Sequence, residues 1–344
     1  MSSEFKKNEK NTININNYNK EDSQYDIVGI GSPLLDYIIQ VDDVILTELD
    51  LKKGHMHLID EEKSRAILQR MEDYSMDITP GGSSANSLAG ISNFGGKTLL
   101  LGKVGHDSNG ERYIYESHKA GIDTRLSKHE GMTGHAITFI TPDSERTFAT
   151  HLGAALHFTK DDIVNEDILN CKILHIEGYI LEPLEFREAA FYAMEIARSN
   201  NILISIDLAD PSLIQRIRNV FTKAVTEYAD IVFVNEDEAK EFTGEEEEEA
   251  LDILHSMCSI AVVKLGERGS LIKKDREIYR IPSYQVDVVN TNGAGDMYAA
   301  GVLYGIVKDI PIERAGRIGS YSSSLVVARI GARLEEKIDI DNIE

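Results

Sequence analysis

From Lys172 to Lys264 short apolar runs alternate with amphipathic stretches, and few folds admit that order. Lys172-Ile173-Leu174-His175-Ile176, Ile202-Leu203-Ile204-Ser205-Ile206, Ile231-Val232-Phe233-Val234 and Ile260-Ala261-Val262-Val263-Lys264 are the runs. Helical spacing fills 184–199, 211–226 and 236–242, and Glu245 to Glu249 head a further helix. Apolar strands joined by helices form a parallel sheet covered on both faces. The five-glutamate run suits a solvated helix start, where the dipole favours acids. Ligands of such sheets sit beyond the carboxyl ends of the strands.

The chain has 344 residues with 36 basic and 58 acidic side chains, a net charge of -22. That length fits two domains, or one large α/β domain with an appendage. The acid excess argues against nucleic-acid and anionic-membrane partners but leaves room for a nucleotide in a local pocket. Cys171 and Cys258 lie in apolar stretches and read as buried thiols, neither a disulfide framework nor a metal set. No apolar run reaches the ~18 residues of a membrane span. The N-terminus lacks the charged-then-apolar order of a signal peptide, so the expected setting is cytoplasmic. Residues 1–24, rich in Asn and Lys, read as a disordered leader.

Several stretches carry candidate chemistry, each with a plainer alternative. Gly29-Ile30-Gly31 ends a strand, but Leu34 stands where a dinucleotide fingerprint needs glycine. Gly95-Gly96-Lys97-Thr98 lacks the first glycine of a phosphate loop and runs into a strand, so it is a turn. Asp36, in Ser32-Pro33-Leu34-Leu35-Asp36, follows the first strand and either meets a ligand or is a solvated loop acid. Gly81-Gly82 opens a helix of small and polar residues, with Asn86 able to donate and accept. The same residues also permit close helix–sheet packing. Asn235 followed by Glu238 is either a capping box or an acid near hydrated Mg²⁺. Lys264-Leu265-Gly266-Glu267-Arg268-Gly269 is a strand-end turn whose glycines could pass a nucleotide. Residues 37–59 and 131–150 alternate over short lengths and read as a smaller β-layer. Arg146 either covers that layer or reaches a substrate or phosphate.

The most informative stretch is Val288-Val289-Asn290-Thr291-Asn292-Gly293-Ala294-Gly295-Asp296. It enters a helix with apolar positions at 297, 300, 301, 304 and 307, which predicts one buried face. Bare amides at a helix N-terminus bind anions. Asp296 beside them could take a proton from a hydroxyl, the pairing that phosphoryl transfer requires. An acid capping a glycine-rich turn would look the same.

Taken together, Gly81-Gly82 with Asn86, Asn235-x-x-Glu238 and Thr291-x-Gly293-Ala294-Gly295-Asp296 resemble the signatures of the PfkB family of carbohydrate and nucleoside kinases, over about residues 25–335. The resemblance implies a doubly wound α/β/α sandwich of the ribokinase-like type with a small β-sheet lid. The core would be 25–36, 60–130 and 151–344, and the lid 37–59 and 131–150. It implies ATP as phosphoryl donor, Mg²⁺ near Glu238, and Asp296 as base with the Gly293, Ala294 and Gly295 amides as anion hole. Asp36, Gly81, Gly82 and Asn86 would hold substrate hydroxyls. Asn235, Lys264, Gly266, Gly269 and Thr291 would lie along the nucleotide. Ser32 to Asp36 and Asn292 are similar to the adenosine-kinase branch, so a primary hydroxyl of a nucleoside is the expected acceptor. A sugar acceptor, or a non-catalytic ligand-binding regulator on the same scaffold, are the alternatives. The family usually has Asp where this chain has Asn290, an acid that helps several members bind a monovalent cation, so K⁺ activation is in question. The expected state is a monomer or homodimer.

Overall fold

The computed structural model describes residues 23–143, 145–334 and 336–343. The expected leader, 1–24, lies outside them except for Ser23 and Gln24. Among the described residues fourteen strands follow in order: β1 Tyr25–Ile30, β2 Leu35–Gln40, β3 Met56–Leu58, β4 Met76–Pro80, β5 Thr98–Gly105, β6 Ile122–His129, β7 His135–Ile140, β8 Arg146–His151, β9 Cys171–Glu177, β10 Leu203–Asp207, β11 Ile231–Asn235, β12 Ile260–Lys264, β13 Ser270–Lys274 and β14 Glu277–Ile281.

Nine of them form one sheet in the order β14-β13-β12-β11-β10-β9-β1-β5-β6. Pairing is parallel from β6 to β12, and β13 and β14 close the far edge as an antiparallel hairpin. The chain winds outward from β1 through β5 to β6, then restarts at β9 on the other side of β1. The switch point therefore lies between β1 and β9, where ligand crevices open. Successive residues serve opposite faces: Ile27, Ile173 and Ile231 join one core, and Val28, Leu174 and Val232 the other. Every residue of β1 is buried, as expected of a strand covered on both sides.

The remaining five strands form the smaller sheet, in the order β3-β8-β7-β2-β4. β2, β3, β7 and β8 come from the two alternating segments, with a short helix, Asp43–Glu48, between β2 and β3. β4 also joins this sheet, although residues 60–130 were expected to lie with the large layer. Its five residues end at Pro80, which an edge strand tolerates. Asp36, assigned by sequence to the core segment, stands on β2 opposite Thr79 and Ala136.

The helix Ala294–Val307 departs from expectation. Met297 to Gly305 are all buried, leaving no exposed face. It lies between helices Ser83–Asn93 and Ile312–Val327, and small residues make both contacts close. A Cβ on Gly90 would sit 2.7 Å from the Ala300 methyl, and one on Gly301 would sit 2.3 Å from the Gly319 nitrogen. A helix apolar all round belongs inside. Cys171 and Cys258 are buried and form no disulfide. No helix among the described residues is long and apolar enough to cross a membrane.

Candidate active site

Gly293 is the N-cap of the helix carrying Asp296 and adopts φ +78°, the left-handed region. A Cβ there would lie 2.7 Å from the Ala332 carbonyl oxygen, so both conformation and space require glycine. Ala294 N–H donates to the Thr291 carbonyl at 3.2 Å and Met297 N–H to the Gly293 carbonyl at 2.9 Å. One of the three amides proposed as the anion hole is thus already engaged.

The Asp296 carboxylate is held from a distant element. Ser83 Oγ donates to Oδ1 at 2.7 Å and Asn86 Nδ2 to Oδ2 at 2.9 Å, while Ser87 Oγ donates to the Asp296 carbonyl at 3.1 Å. Positions 83, 86 and 87 share one face of their helix. Burial pushes the Asp296 carboxyl up from its ordinary value, and the Ser83 and Asn86 hydrogen bonds pull it back. The side chain keeps partial exposure.

Gly82, at φ +88°, lets the chain pass the Ser32 carbonyl, which a Cβ would meet at 2.3 Å. A Cβ on Gly81 would lie 2.5 Å from Asp36 Oδ2, so the Asp36 carboxylate rests against that glycine. Burial lifts Asp36 to about 7, opposed by Arg333 and reinforced by Asp296. Asp36, Gly81, Gly82, Asn86 and Asp296 are therefore brought together.

At the neighbouring strand ends, Asn235 on β11 stands beside Lys264 on β12. The capping box has formed: Glu238 Oε2 accepts from Asn235 N at 2.8 Å, Oε1 from Asn235 Nδ2 at 2.7 Å, and Glu238 N donates to Asn235 Oδ1 at 2.8 Å. Glu238 is 3% exposed. Burial raises its carboxyl against the pull of Lys264. Lys264 Nζ donates to Asp207 Oδ2 at 2.8 Å, and a Cβ on Gly295 would lie 3.1 Å from the same ammonium. Burial favours the neutral amine, but Asp207 and Glu238 hold Lys264 above its ordinary value. A fixed cation thus backs the helix start.

The two oxygens of Glu238 and of Asp207 all accept protein hydrogen bonds, the latter from Ala209 N and Lys264. No group of three metal-ligating side chains exists among the described residues. These hard oxygens fit Mg²⁺ reached through its own waters, which it gives up reluctantly. They do not form a direct cage. A monovalent cation fits less well. Asn290 Oδ1 accepts from Asn292 N at 2.8 Å and from the Arg146 guanidinium, so a fixed cation already faces that oxygen. Arg146 neither simply covers its sheet nor stands free for a ligand. It crosses from β8 to the loop before the anion hole.

In the turn after β12, Gly269 at φ +86° is required by packing, since a Cβ would lie 1.9 Å from the Ile281 carbonyl oxygen. Gly266 faces open space. Thr291 is exposed, and Val288 upstream of it is 70% exposed.

Two site residues have no signal in the local sequence. Glu177, at the end of β9, accepts from Ser32 N and Ser84 N, each at 2.8 Å. It ties the loop after β1 to the helix start across the switch point, and burial lifts it to about 7 against those two amides. Arg333, beyond the last helix, donates to Asn86 Oδ1 at 2.9 Å and to the Gly81 carbonyl at 2.8 Å. An acid after an apolar run and an arginine near the C-terminus both read as surface residues. Their partners lie in segments that only the fold brings near.

Known proteins resemble this chain in sequence and in fold. The pfkB family carbohydrate kinase profile matches residues 54–338. "Adenosine kinase 2" of Arabidopsis thaliana is 26% identical over 93% of this chain and 99% of its own length. The 5-dehydro-2-deoxygluconokinase of Bacillus subtilis (strain 168) is 30% identical over 72% of this chain and 81% of its own length. The crystal structure of adenosine kinase from Sinorhizobium meliloti superposes with a TM-score of 0.85 at 30% identity, covering 92% of this chain and 97% of that one. Fold, signatures and relatives agree: the chain belongs to the pfkB family of carbohydrate kinases, phosphotransferases that act on an alcohol group.

Proposed function

We propose that the protein transfers the γ-phosphoryl group of ATP to the primary hydroxyl of a nucleoside of the adenosine type. The observation that carries this reading is the Asp296 carboxylate, held by Ser83 and Asn86 at the glycine-led start of a helix and set beside Asp36 and Gly81. Asp36 and the Gly81-Gly82 backbone bind and orient the acceptor's other hydroxyls. Asp296 takes the proton of the attacking hydroxyl as that hydroxyl's oxygen bonds to the γ-phosphorus, and the bond from phosphorus to the β,γ-bridging oxygen breaks, releasing ADP. The Gly293 and Gly295 amides, backed by Lys264, face the charge on the transferring group. Asn235, Gly266, Gly269 and Thr291 border the nucleotide. Mg²⁺, when bound through water near Glu238 and Asp207, neutralises phosphate charge. The small sheet excludes water from the reacting atoms.

The nucleoside acceptor is favoured by Ser32 to Asp36, by Asn292 and by the nearly full-length match to adenosine kinase. A sugar acceptor is the second reading, favoured by the higher identity to the gluconokinase over a shorter stretch. A coupled assay of ADP release across nucleosides, sugars and sugar acids decides. Release with adenosine-like acceptors supports the first reading and release with keto-sugar acids the second. Acceptor binding without ADP release would refute both and point to a ligand-binding regulator.

A further inference from the structure

Arg333 has no part in the mechanism above, yet it touches the helix that holds the base. It lies in Gly331-Ala332-Arg333-Leu334, a segment pinned at Leu334, whose carbonyl accepts from Asn93 Nδ2 at 2.8 Å. From there its guanidinium reaches helix Ser83–Asn93. Nε donates to Asn86 Oδ1 at 2.9 Å, and Nη2 donates to the Gly81 carbonyl at 2.8 Å and to Tyr113 Oη at 3.3 Å. The guanidinium also lies 5.7 Å from the centroid of the Tyr113 ring, and Tyr113 Oη itself donates to the Gly81 carbonyl at 2.8 Å.

This connection resolves an ambiguity at Asn86. A carboxamide can sit either way round, with oxygen and nitrogen exchanged. In one orientation its NH₂ faces the Asp296 carboxylate. In the other its oxygen would face that carboxylate, lone pair against lone pair. A guanidinium has donors only, so Arg333 accepts only the orientation that turns Asn86 oxygen toward itself and Asn86 nitrogen toward Asp296. Its charge also polarises the carboxamide and strengthens the N–H that Asp296 receives.

We propose that Arg333 is a positioning residue for phosphoryl transfer: acting through Asn86, it fixes the donor that keeps the Asp296 carboxylate ionised and aimed at the acceptor hydroxyl. The inference rests on the kinase reading of the site and adds the segment beyond the last described helix to its machinery. The other groups facing Asp296 are Ser83 and Ser87 on the same helix, Lys264 at the end of β12, Asp207 at the end of β10, Glu177 at the end of β9, Tyr179 just beyond it and Asp36 on β2. None of these depends on Arg333 for a hydrogen bond. Asp36 does feel its charge, but Asp36 serves acceptor binding, so its response belongs to kcat/KM rather than to kcat at saturating acceptor.

The test is the pH profile of kcat for wild type, Arg333→Ala, Arg333→Lys, Asn86→Ala and the Arg333→Ala/Asn86→Ala pair, each with a thermal melt. Arg333→Ala should lower kcat ~10-fold or more, the size of one hydrogen bond to a charged group. The acid limb should move to higher pH by about one unit. Added guanidinium ion should restore much of the loss in Arg333→Ala. In the Asn86→Ala background Arg333→Ala should cost little further, because the effect travels through Asn86. Arg333→Lys keeps a donor-only cation without the planar fork and should move the limb less than Arg333→Ala does, which keeps the test readable if the alanine variant folds poorly. An unmoved acid limb, or a full additional loss in the Asn86→Ala background, overturns the proposal and leaves Arg333 a prop for its segment. A wild-type protein that releases no ADP with any acceptor refutes the kinase reading, and this inference with it. An active wild type with an unmoved limb refutes this inference alone.

Discussion

Asp296 and Glu238 occupy the same place in two helices, yet the fold treats them differently. Each is the third residue of its helix, and each accepts a hydrogen bond from an asparagine carboxamide. Glu238 takes that bond from its own N-cap, Asn235, three residues back, and closes a capping box that satisfies the helix start locally. Asp296 has glycine at its N-cap, with no side chain to fold back on. Its donors come instead from Ser83 and Asn86, more than two hundred residues away in sequence. Glu238 is buried against its cap, whereas Asp296 keeps an exposed edge. An acid at this position with an asparagine cap stabilises its helix. With a glycine cap it is left available for chemistry beside bare amides.

Substitutions can break that comparison at either end. The largest effect is expected at Asp296→Asn, which removes the proposed base: kcat should fall by more than ~10³-fold with acceptor KM little changed. Gly293→Ala should follow, because the new methyl meets the Ala332 backbone at a positive φ. A loss of ~2 kcal/mol in chemical denaturation and ~10²-fold in kcat is expected as the helix start shifts. Next is pH. In the proposed mechanism Asp36 binds hydroxyls as a carboxylate, and burial lifts it to about 7, so kcat/KM for the acceptor should fall as pH drops through about 7. Asp36→Asn should abolish that limb and leave the fall set by the Asp296 carboxyl, which burial also raises. Glu238→Gln should cost about 1 kcal/mol of stability through the weakened cap. It should also raise the Mg²⁺ concentration needed for half-maximal rate, with kcat within ~10-fold of wild type. The smallest effect concerns monovalent cations. With Arg146 on Asn290, replacing K⁺ by a large organic cation should change kcat by less than ~2-fold, the scale of ionic screening alone.

Much of this contrast is legible in the amino-acid sequence, for physical reasons. Asn235-x-x-Glu238 spells a capping box because both partners lie within one turn, and the box is present. The strands from Lys172 to Lys264 are legible because a sheet covered on both faces needs uninterrupted apolar runs. The hairpin β13–β14 and the helix Ile312–Val327 were not expected. The hairpin's residues are mixed, and the buried side of the helix includes Gly316, Gly319, Ser320, Ser322 and Ser324, which read as loop residues rather than as a core stripe. β4 was hidden by its mixed residues, Met76-Asp77-Ile78-Thr79-Pro80, and by the Gly81-Gly82 that follows. Glu177 and Arg333 were hidden for a different reason. Each satisfies groups on segments far away in sequence, and no local pattern records which loop will arrive beside an acid or an arginine. Arg146 was noticed, but its partner Asn290 came from the opposite side of the site.

The central claim is that the carboxylate with the glycine cap performs the chemistry while the one with the asparagine cap supports it. Asp296→Asn and Glu238→Gln, assayed side by side for acceptor-dependent ADP release at saturating Mg·ATP, test it most directly. Asp296→Asn should lose at least ~10²-fold more kcat than Glu238→Gln, the span between losing a general base and losing a supporting contact. Equal losses in the two variants, or turnover by Asp296→Asn within ~10-fold of wild type, would contradict it.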